Sequence, residues 1–211
     1  MTVFIFIGAP GSGKGTQAER LSEKLSIPEI SSGHLLRAHI SSGTDIGKQA
    51  EFLISQGQLV PDDLVIQMVF ERIQEEDCRN GYILDGFPRT IAQAEVLFNY
   101  IKNTGFICRV IYLNLPESEI VHRILSRISC SECKSSFSVN VGNIEEEIKL
   151  CPKCGAPLII RQDDNEISVK QRITVYFHNT LPLLEYFKKF CEVEEINALG
   201  SREEVFNRIR Y

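Results

Sequence analysis

The sequence predicts an α/β fold in which a parallel β-sheet is covered by helices on both faces. Three observations carry that prediction. Short apolar runs alternate with stretches of helical periodicity along most of the chain, the pattern of strands buried on both sides. The first run, Val3-Phe4-Ile5-Phe6-Ile7, leads without a break into the glycine-rich turn Gly8-Ala9-Pro10-Gly11-Ser12-Gly13-Lys14-Gly15-Thr16 and then into a helical stretch. Two segments, 31–60 and 128–164, break the alternation and read as insertions into the core.

The turn between first strand and first helix is a phosphate-binding loop. Its glycines let backbone N–H groups approach an anion closely, at a helix N-terminus that favours negative charge, and Lys14 can reach the outer phosphates of a polyphosphate. Gly8 and Gly13-Lys14 have the spacing this requires, which a turn needed only for bending would not need. Gly15 occupies the slot after the lysine where Ser or Thr usually meets Mg²⁺, and Thr16 follows one residue later. The sheet is therefore expected to be of the phosphate-loop NTPase type.

Ala18, Leu21 and Leu25 stripe the helix after the loop, and Ile27-Pro28 marks its exit. Ile30 leads into Ser31-Ser32-Gly33-His34-Leu35-Leu36-Arg37, a turn opening a short helix. Ile46, Ala50, Leu53 and Ile54 stripe the next helix, which Gly57 can end. Asp62 or Asp63 can cap a helix whose apolar face is Val65, Met68, Val69 and Ile73. Tyr82-Ile83-Leu84 is a buried strand ending at Asp85-Gly86-Phe87-Pro88-Arg89, and polar residues at the carboxyl end of such a strand lie where ligands bind.

Thr90 begins another helix, where Thr90-x-x-Gln93 is also a capping box, so capping and substrate contact compete for one side chain. Val110 to Leu113 is the following strand. The helix after it carries Ile120, Val121, Ile124 and Ile128, with Arg123 and Arg127 at i, i+4 on its other face. Helical periodicity resumes near Asn165 through Val169, Ile173, Tyr176 and Phe177, until Pro182 forces a kink or an end. Val193 to Ile196 can form a last strand, and Ser201 to Glu204 is a capping box opening the C-terminal helix.

Composition limits the function classes. The chain has 211 residues, enough for one sizeable domain with small insertions. A net charge of −5 argues against general binding to nucleic acid or to an anionic membrane. The N-terminal apolar run is too short to span a bilayer and lacks a basic flank, so a cytoplasmic protein is expected.

Cys130-x-x-Cys133 and Cys151-x-x-Cys154, separated by seventeen residues, match the two knuckles of a four-thiolate zinc site. Such a site is closed, so its role is structural in a segment with few large aliphatics. Cysteine ribbons also bind nucleic acid, but Lys134, Lys149 and Lys153 are offset here by Glu132, Glu145, Glu146 and Glu147. Cys78, Cys108 and Cys191 lack metal spacing and read as small buried residues. His34, His39, His122 and His178 likewise form no metal-ligand spacing.

Arg37, Arg89, Arg123, Arg127, Arg161 and Arg172 sit at element ends. Any one alone reads as surface charge; together they suit phosphoryl transfer, where charge spreads over the phosphate oxygens and bidentate guanidinium groups can hold it. Asp85 beside a phosphate loop suits Mg²⁺ held through water.

With these residues in place the chain resembles adenylate kinase of the long-lid, zinc-containing bacterial type over essentially its whole length. The matching stretches are Gly8 to Gln17, Ile30 to Arg37, Leu59-Val60, Asp85 to Thr90 with Gln93, Arg123 to Arg127, the four cysteines, and Arg161-Gln162-Asp163-Asp164 through Arg172. The resemblance implies ATP + AMP ⇌ 2 ADP, with Mg²⁺ accompanying ATP and a structural Zn²⁺ on Cys130, Cys133, Cys151 and Cys154. It implies a catalytic set of Lys14, Asp85, Arg89, Arg123, Arg127, Arg161 and Arg172. ATP would be held by Gly11, Ser12, Gly13, Lys14, Gly15, Thr16, Arg127, Ser136, Phe137 and Gly200. AMP would be held by Ser32, Arg37, Gln58, Leu59, Val60, Gly86, Phe87, Pro88, Arg89 and Gln93, with Arg161 and Arg172 bridging the two phosphate groups.

The implied organisation is a core of 1–30, 61–125 and 165–211, an acceptor-binding insertion at 31–60 and a zinc-binding lid at 126–164, acting as a monomer. Closure would exclude water and assemble the arginines. A kinase for another nucleoside monophosphate, or one using GTP, is the nearest alternative; a non-catalytic nucleotide-gated zinc-ribbon binding protein would not need the arginine set.

Two departures stand out. The segment from Phe137 to Leu150 lacks the proline-rich stretch common in this family. His34 stands where the family usually has an acidic residue near Mg²⁺. If His34 titrates near its ordinary value of ~6.5, Mg²⁺ should be held more weakly as pH falls; if it points to solvent, Asp85 suffices.

Overall fold

The computed structural model describes residues 1–138, 150–161 and 164–211. At its centre is a parallel sheet in the order β2-β3-β1-β4-β8, formed by β1 (Thr2–Gly8), β2 (Glu29–Ser31), β3 (Gly81–Asp85), β4 (Ile107–Asn114) and β8 (Glu192–Asn197). A separate antiparallel sheet in the order β6-β5-β7 is built from β5 (Arg127–Cys130), β6 (Ser136–Ser138) and β7 (Leu158–Ile159). The helices are α1 (Lys14–Leu25), α2 (Ser32–Ser41), α3 (Asp45–Ser55), α4 (Asp62–Ile73), α5 (Ile91–Thr104), α6 (Glu117–Leu125), α7 (Glu166–Val175), α8 (Leu183–Phe187) and α9 (Arg202–Phe206).

The continuous apolar run of β1 is explained by its two faces. Val3, Ile5 and Ile7 pack with Val69 of α4, Leu97 of α5 and Phe187 of α8 in one cluster. Phe4 and Phe6 pack with Leu21 of α1, Ile124 of α6 and Val205 of α9 in the other. Alternate residues of a strand face opposite sides, so a strand covered on both sides must be apolar throughout. β1 is central, and the chain builds on its β3 side before crossing to β4 and β8. Such a switch opens a crevice beyond the carboxyl ends of the strands.

Helix ends follow the expected chemistry at several points. Thr44 accepts from Gly47 N–H to cap α3, Asn165 accepts from Ser168 N–H to cap α7, and Ser201 and Glu204 form the reciprocal capping box of α9.

Three local expectations are corrected. The helix expected to run to Ile128 ends at Leu125; Arg127 and Ile128 pair instead with Ser138 and Phe137 in β5, so Arg123 and Arg127 do not share a helix face. Neither Asp62 nor Asp63 is the cap of α4, because Pro61 takes that position and both acids lie in the first turn. The helix after Asn165 continues into a π-helical turn, Tyr176–Thr180, and Pro182 then precedes α8. Cys78 is buried as expected, whereas Cys108 and Cys191 are half-buried. The acidic run Glu145-Glu146-Glu147, most of the segment between Phe137 and Leu150, and Gln162-Asp163 lie outside the described residues.

Candidate active site

The phosphate loop is shaped by what its glycines allow. Gly11 and Gly13 have φ of 80° and 91°, a backbone region that side chains rarely enter, and Gly13 is the position before the first turn of α1. Gly8 has a different reason: a Cβ there would lie 2.6 Å from Ser12 Oγ and 2.8 Å from the carbonyl oxygen of Leu113. Lys14 folds back so that Nζ donates to the carbonyls of Gly8 (2.8 Å) and Ala9 (3.0 Å). Burial lowers its pKa to about 8; Asp85 opposes that shift, while Arg89, Arg172 and Arg127 add to it.

These residues open onto a cavity of about 520 Å³ at the carboxyl ends of the parallel strands. All six arginines singled out in the sequence line it: Arg37 from α2, Arg89 after β3, Arg123 from α6, Arg127 from β5, Arg161 after β7 and Arg172 from α7. In an acidic protein, this many cations around one cavity indicates a site for a strongly anionic ligand. Arg89 donates from Nε to the carbonyl of Gly86 (2.8 Å), and its own carbonyl accepts from Thr180 Oγ1 (3.1 Å). Arg161 donates to Ser129 Oγ (2.8 Å) and Ser136 Oγ (3.1 Å). Arg123 donates to the carbonyl of Ala198 (3.1 Å).

Comparison with known proteins matches this arrangement. The adenylate kinase family model covers residues 6–192. The adenylate kinase of Thermodesulfovibrio yellowstonii is 42% identical over 206 residues, 97% of this chain and 95% of that protein. That of Archaeoglobus fulgidus is 44% identical over 206 residues, covering 97% and 94%, and that of Caldicellulosiruptor bescii is 45% identical over 185 residues, covering 87% and 86%. The chain belongs to the adenylate kinase family.

Within that family frame, a smaller cavity of about 70 Å³ adjoins the first on the side of α2 and α3. Ser32, Arg37, Gln58, Leu59, Val60, Gly86, Arg89, Gln93 and Arg172 line it, which brings together most of the residues expected at the acceptor. The Phe87 side chain is instead buried in the apolar core, so only its backbone remains for a ligand. Gln93 resolves the competition posed by the sequence. Thr90 Oγ1 accepts from its N–H, but its side chain turns to the Arg89 N–H (2.8 Å) and donates to Asp62 Oδ1 (2.7 Å). Asp62 also accepts from Thr90 Oγ1 (2.9 Å), so a residue read as a helix cap orients the glutamine.

On the opposite side of the large cavity, Ser136, Phe137 and Gly200 come together with Arg202, which the sequence reading did not single out. Its guanidinium lies over the Phe137 ring, 5.4 Å from the centroid, and donates to the carbonyl of Ser136 (2.8 Å). Gly200 has φ of 113°, and a Cβ there would stand 2.8 Å from Glu204 Oε2.

Asp164 was visible only as part of a motif, and the fold gives it a task. Its carboxylate, 1% exposed, accepts two hydrogen bonds from Arg127, one of them from Nε at 2.8 Å, and another from Arg172 Nη1 at 2.9 Å. It joins one arginine of the small sheet to one of α7. Replacing Asp164 by Asn should destabilise the protein by about 3 kcal/mol, because breaking a buried pair leaves charge uncompensated. Thermal melting of the variant checks this.

Asp85 stands at the start of α1: its Oδ2 would be 3.3 Å from a Cβ at Gly15, and Ser31 Oγ donates to it at 3.4 Å. Its other oxygen, Oδ1, is buried with no hydrogen-bond partner among the described residues. A carboxylate oxygen left over beside a phosphate loop fits a hydrated Mg²⁺. Glu29 is pushed up to about 8, first by burial and then by the charges of Asp85 and Glu19; a cation between the carboxylates would reverse that effect.

His34 lines the same cavity, but the pH expectation for it is corrected. Burial, followed by the nearby Arg37, lowers its pKa to about 4, so the ring is neutral across the range in which free histidine titrates. A loss of Mg²⁺ through its protonation between pH 8 and pH 6 is not expected.

The four cysteine sulfurs lie within 4.8 Å of one another, with Cys130 and Cys154 at 3.4 Å and Cys133 and Cys151 at 3.6 Å. Tetrahedral zinc at its usual bond length sets sulfurs roughly 3.8 Å apart, so the set fits. The two knuckles are alike. Glu132 N–H donates to Cys130 Sγ and Lys153 N–H to Cys151 Sγ, both at 3.4 Å. The residue after each second cysteine, Lys134 (φ 62°) or Gly155 (φ 76°), is left-handed. The lobe rests on α1 through Glu19, which accepts from Lys153 Nζ (2.8 Å) and Ser135 Oγ (3.2 Å).

Proposed function

We propose that this protein transfers a phosphoryl group reversibly between ATP and AMP, giving two ADP. The observation that carries this reading is the convergence of Lys14 and six arginines on one cavity at the phosphate loop, which shares Arg37, Gly86, Arg89 and Arg172 with a second, smaller cavity lined by the residues expected at the acceptor. The AMP phosphate is already an anion and needs no general base to attack the γ-phosphorus of ATP. The barrier is the repulsion between two phosphate groups and the spread of charge as the phosphoryl group moves in line between them. Lys14 and Gly11 to Thr16 hold the donor phosphates; Arg37 and Arg89 hold the AMP phosphate; Arg123, Arg127, Arg161 and Arg172 neutralise the charge between them. Mg²⁺ supplies charge neutralisation at the donor phosphates when bound, with Asp85 holding its water shell.

Gln93, oriented by Asp62 and the Arg89 N–H, reads the adenine edge of AMP, with Gln58 to Val60 and Ser32 closing that side. Ser136, Phe137 and Gly200 flank the ATP adenosine. In the same reading, 31–60 and 126–164 are the moving parts around a core of 1–30, 61–125 and 165–211, and their closure excludes water so that ATP is not hydrolysed. The protein works as a cytoplasmic monomer. None of its described helices is long and apolar enough to cross a membrane.

A coupled assay of ADP formation with AMP, UMP, CMP and GMP, each with ATP and with GTP, tests the proposal. AMP should lead the other acceptors clearly, and a different leader would move the protein to another nucleoside monophosphate kinase class.

A further inference from the structure

We infer that Glu29 is a second carboxylate of the divalent-cation site, facing Asp85 across the β2–β3 pair and helping to hold the water shell of the cation that accompanies ATP. This rests on reading the large cavity as the ATP site. Glu29 pairs in register with Ile83, and Ser31 with Asp85. Residues two apart on a strand share a face, so the side chains of Glu29, Ser31, Ile83 and Asp85 all point to the side that carries α1, where Ile83 packs with Ala18 and Leu21. Asp85 sits one pleat nearer the phosphate loop, an offset of roughly 6–7 Å along the strand. Glu29 is close enough for the Asp85 charge to act on it.

Both residues line the cavity that contains Thr16 and Lys14. Each keeps one buried oxygen, Glu29 Oε1 and Asp85 Oδ1, without a hydrogen-bond partner among the described residues. Buried carboxylate oxygens are ordinarily paired, and two left over in one cavity call for a shared cationic or hydrated partner. The nearest cation of the loop is committed elsewhere, since Lys14 Nζ donates to Gly8 and Ala9 carbonyls. Glu19, the other carboxylate lining the cavity, already accepts from Lys153 Nζ and Ser135 Oγ. Glu29 is therefore the carboxylate placed beside Asp85 to supply a second charge.

The test uses Mn²⁺ as the probe and the full chain. ATP binding is measured by calorimetry with and without Mn²⁺, and bound Mn²⁺ is followed by electron paramagnetic resonance. The readout is the factor by which Mn²⁺ tightens ATP binding, for wild type and for Glu29→Gln, with thermal melting to confirm the fold. The variant is expected to lose roughly tenfold of that factor while metal-free ATP binding does not weaken, because glutamine matches glutamate in size. An unchanged factor would overturn the assignment. Wild-type ATP binding that Mn²⁺ does not tighten would overturn it as well, whereas wild type that binds no ATP, with or without Mn²⁺, would overturn the reading of the cavity on which it rests.

Discussion

Replacing Lys14 by Ala is expected to slow phosphoryl transfer roughly a hundred- to a thousandfold, about 3–4 kcal/mol, while leaving the melting temperature near that of wild type. The fold can lose this side chain because its contacts are two hydrogen bonds to loop carbonyls, and no apolar cluster depends on it. The reaction cannot, because in the proposed site the ammonium turns to phosphate oxygens whose charge is redistributed in the transition state. Arg89→Ala should cost a similar factor, since Arg89 lines both the large cavity and its smaller neighbour. Steady-state turnover with ATP and AMP, measured beside a thermal melt, decides. Near-normal turnover in either variant would sink the proposed site.

Removing zinc, or replacing Cys130 and Cys133 by Ser, is expected to lower thermal stability far more than it changes the initial rate well below the melting point. Structural zinc contributes on the order of 10 kcal/mol in small metal-dependent folds. Among its described residues the cysteine lobe buries few large apolar side chains: Ile128, Cys130 and Cys151 are buried, whereas Leu150, Ile159 and Ile160 are 61%, 49% and 55% exposed. A closed thiolate site offers no position to substrate, so zinc acts on the rate only through the residues the lobe carries into the cavity, among them Arg127, Ser136, Phe137 and Arg161. Melting curves and low-temperature initial rates, with and without chelator, separate the two effects. Apo-protein that is folded and inactive at low temperature, and recovers with zinc, would make the metal catalytic.

Much of this was legible without coordinates. The spacing from Gly8 to Lys14 specified a phosphate loop because few backbone paths bring so many N–H groups to one anion, and positive φ at Gly11 and Gly13 bears that out. The paired cysteines specified a metal knuckle because a tetrahedral thiolate set demands that spacing. The alternation of strands and helices specified a parallel sheet because apolar runs like β1 need cover on two sides. What these have in common is local chemistry, written within a few residues.

The rest depends on groups far apart in the chain, and only the tertiary structure decides it. Arg127 lines the cavity from a strand, not from the helix its spacing suggested, because α6 ends at Leu125 and Arg127 pairs with Ser138 of β6. Asp164 becomes a clamp for Arg127 and Arg172 only once β5 and α7 meet, and Asp62 becomes a support for Gln93 only once α4 lies beside α5. Glu29 looks like an ordinary charge before a short strand until register sets it on the same face as Asp85. His34 has the same composition in any fold, yet burial beside Arg37 keeps it neutral where a free imidazole would titrate. The loop, the metal knuckles and the class of sheet are readable along the chain, since each is a short-range pattern. Which carboxylate faces which cation, and which groups keep their charge, was decided by the fold, because electrostatic energy depends on distance and burial and not on position along the chain.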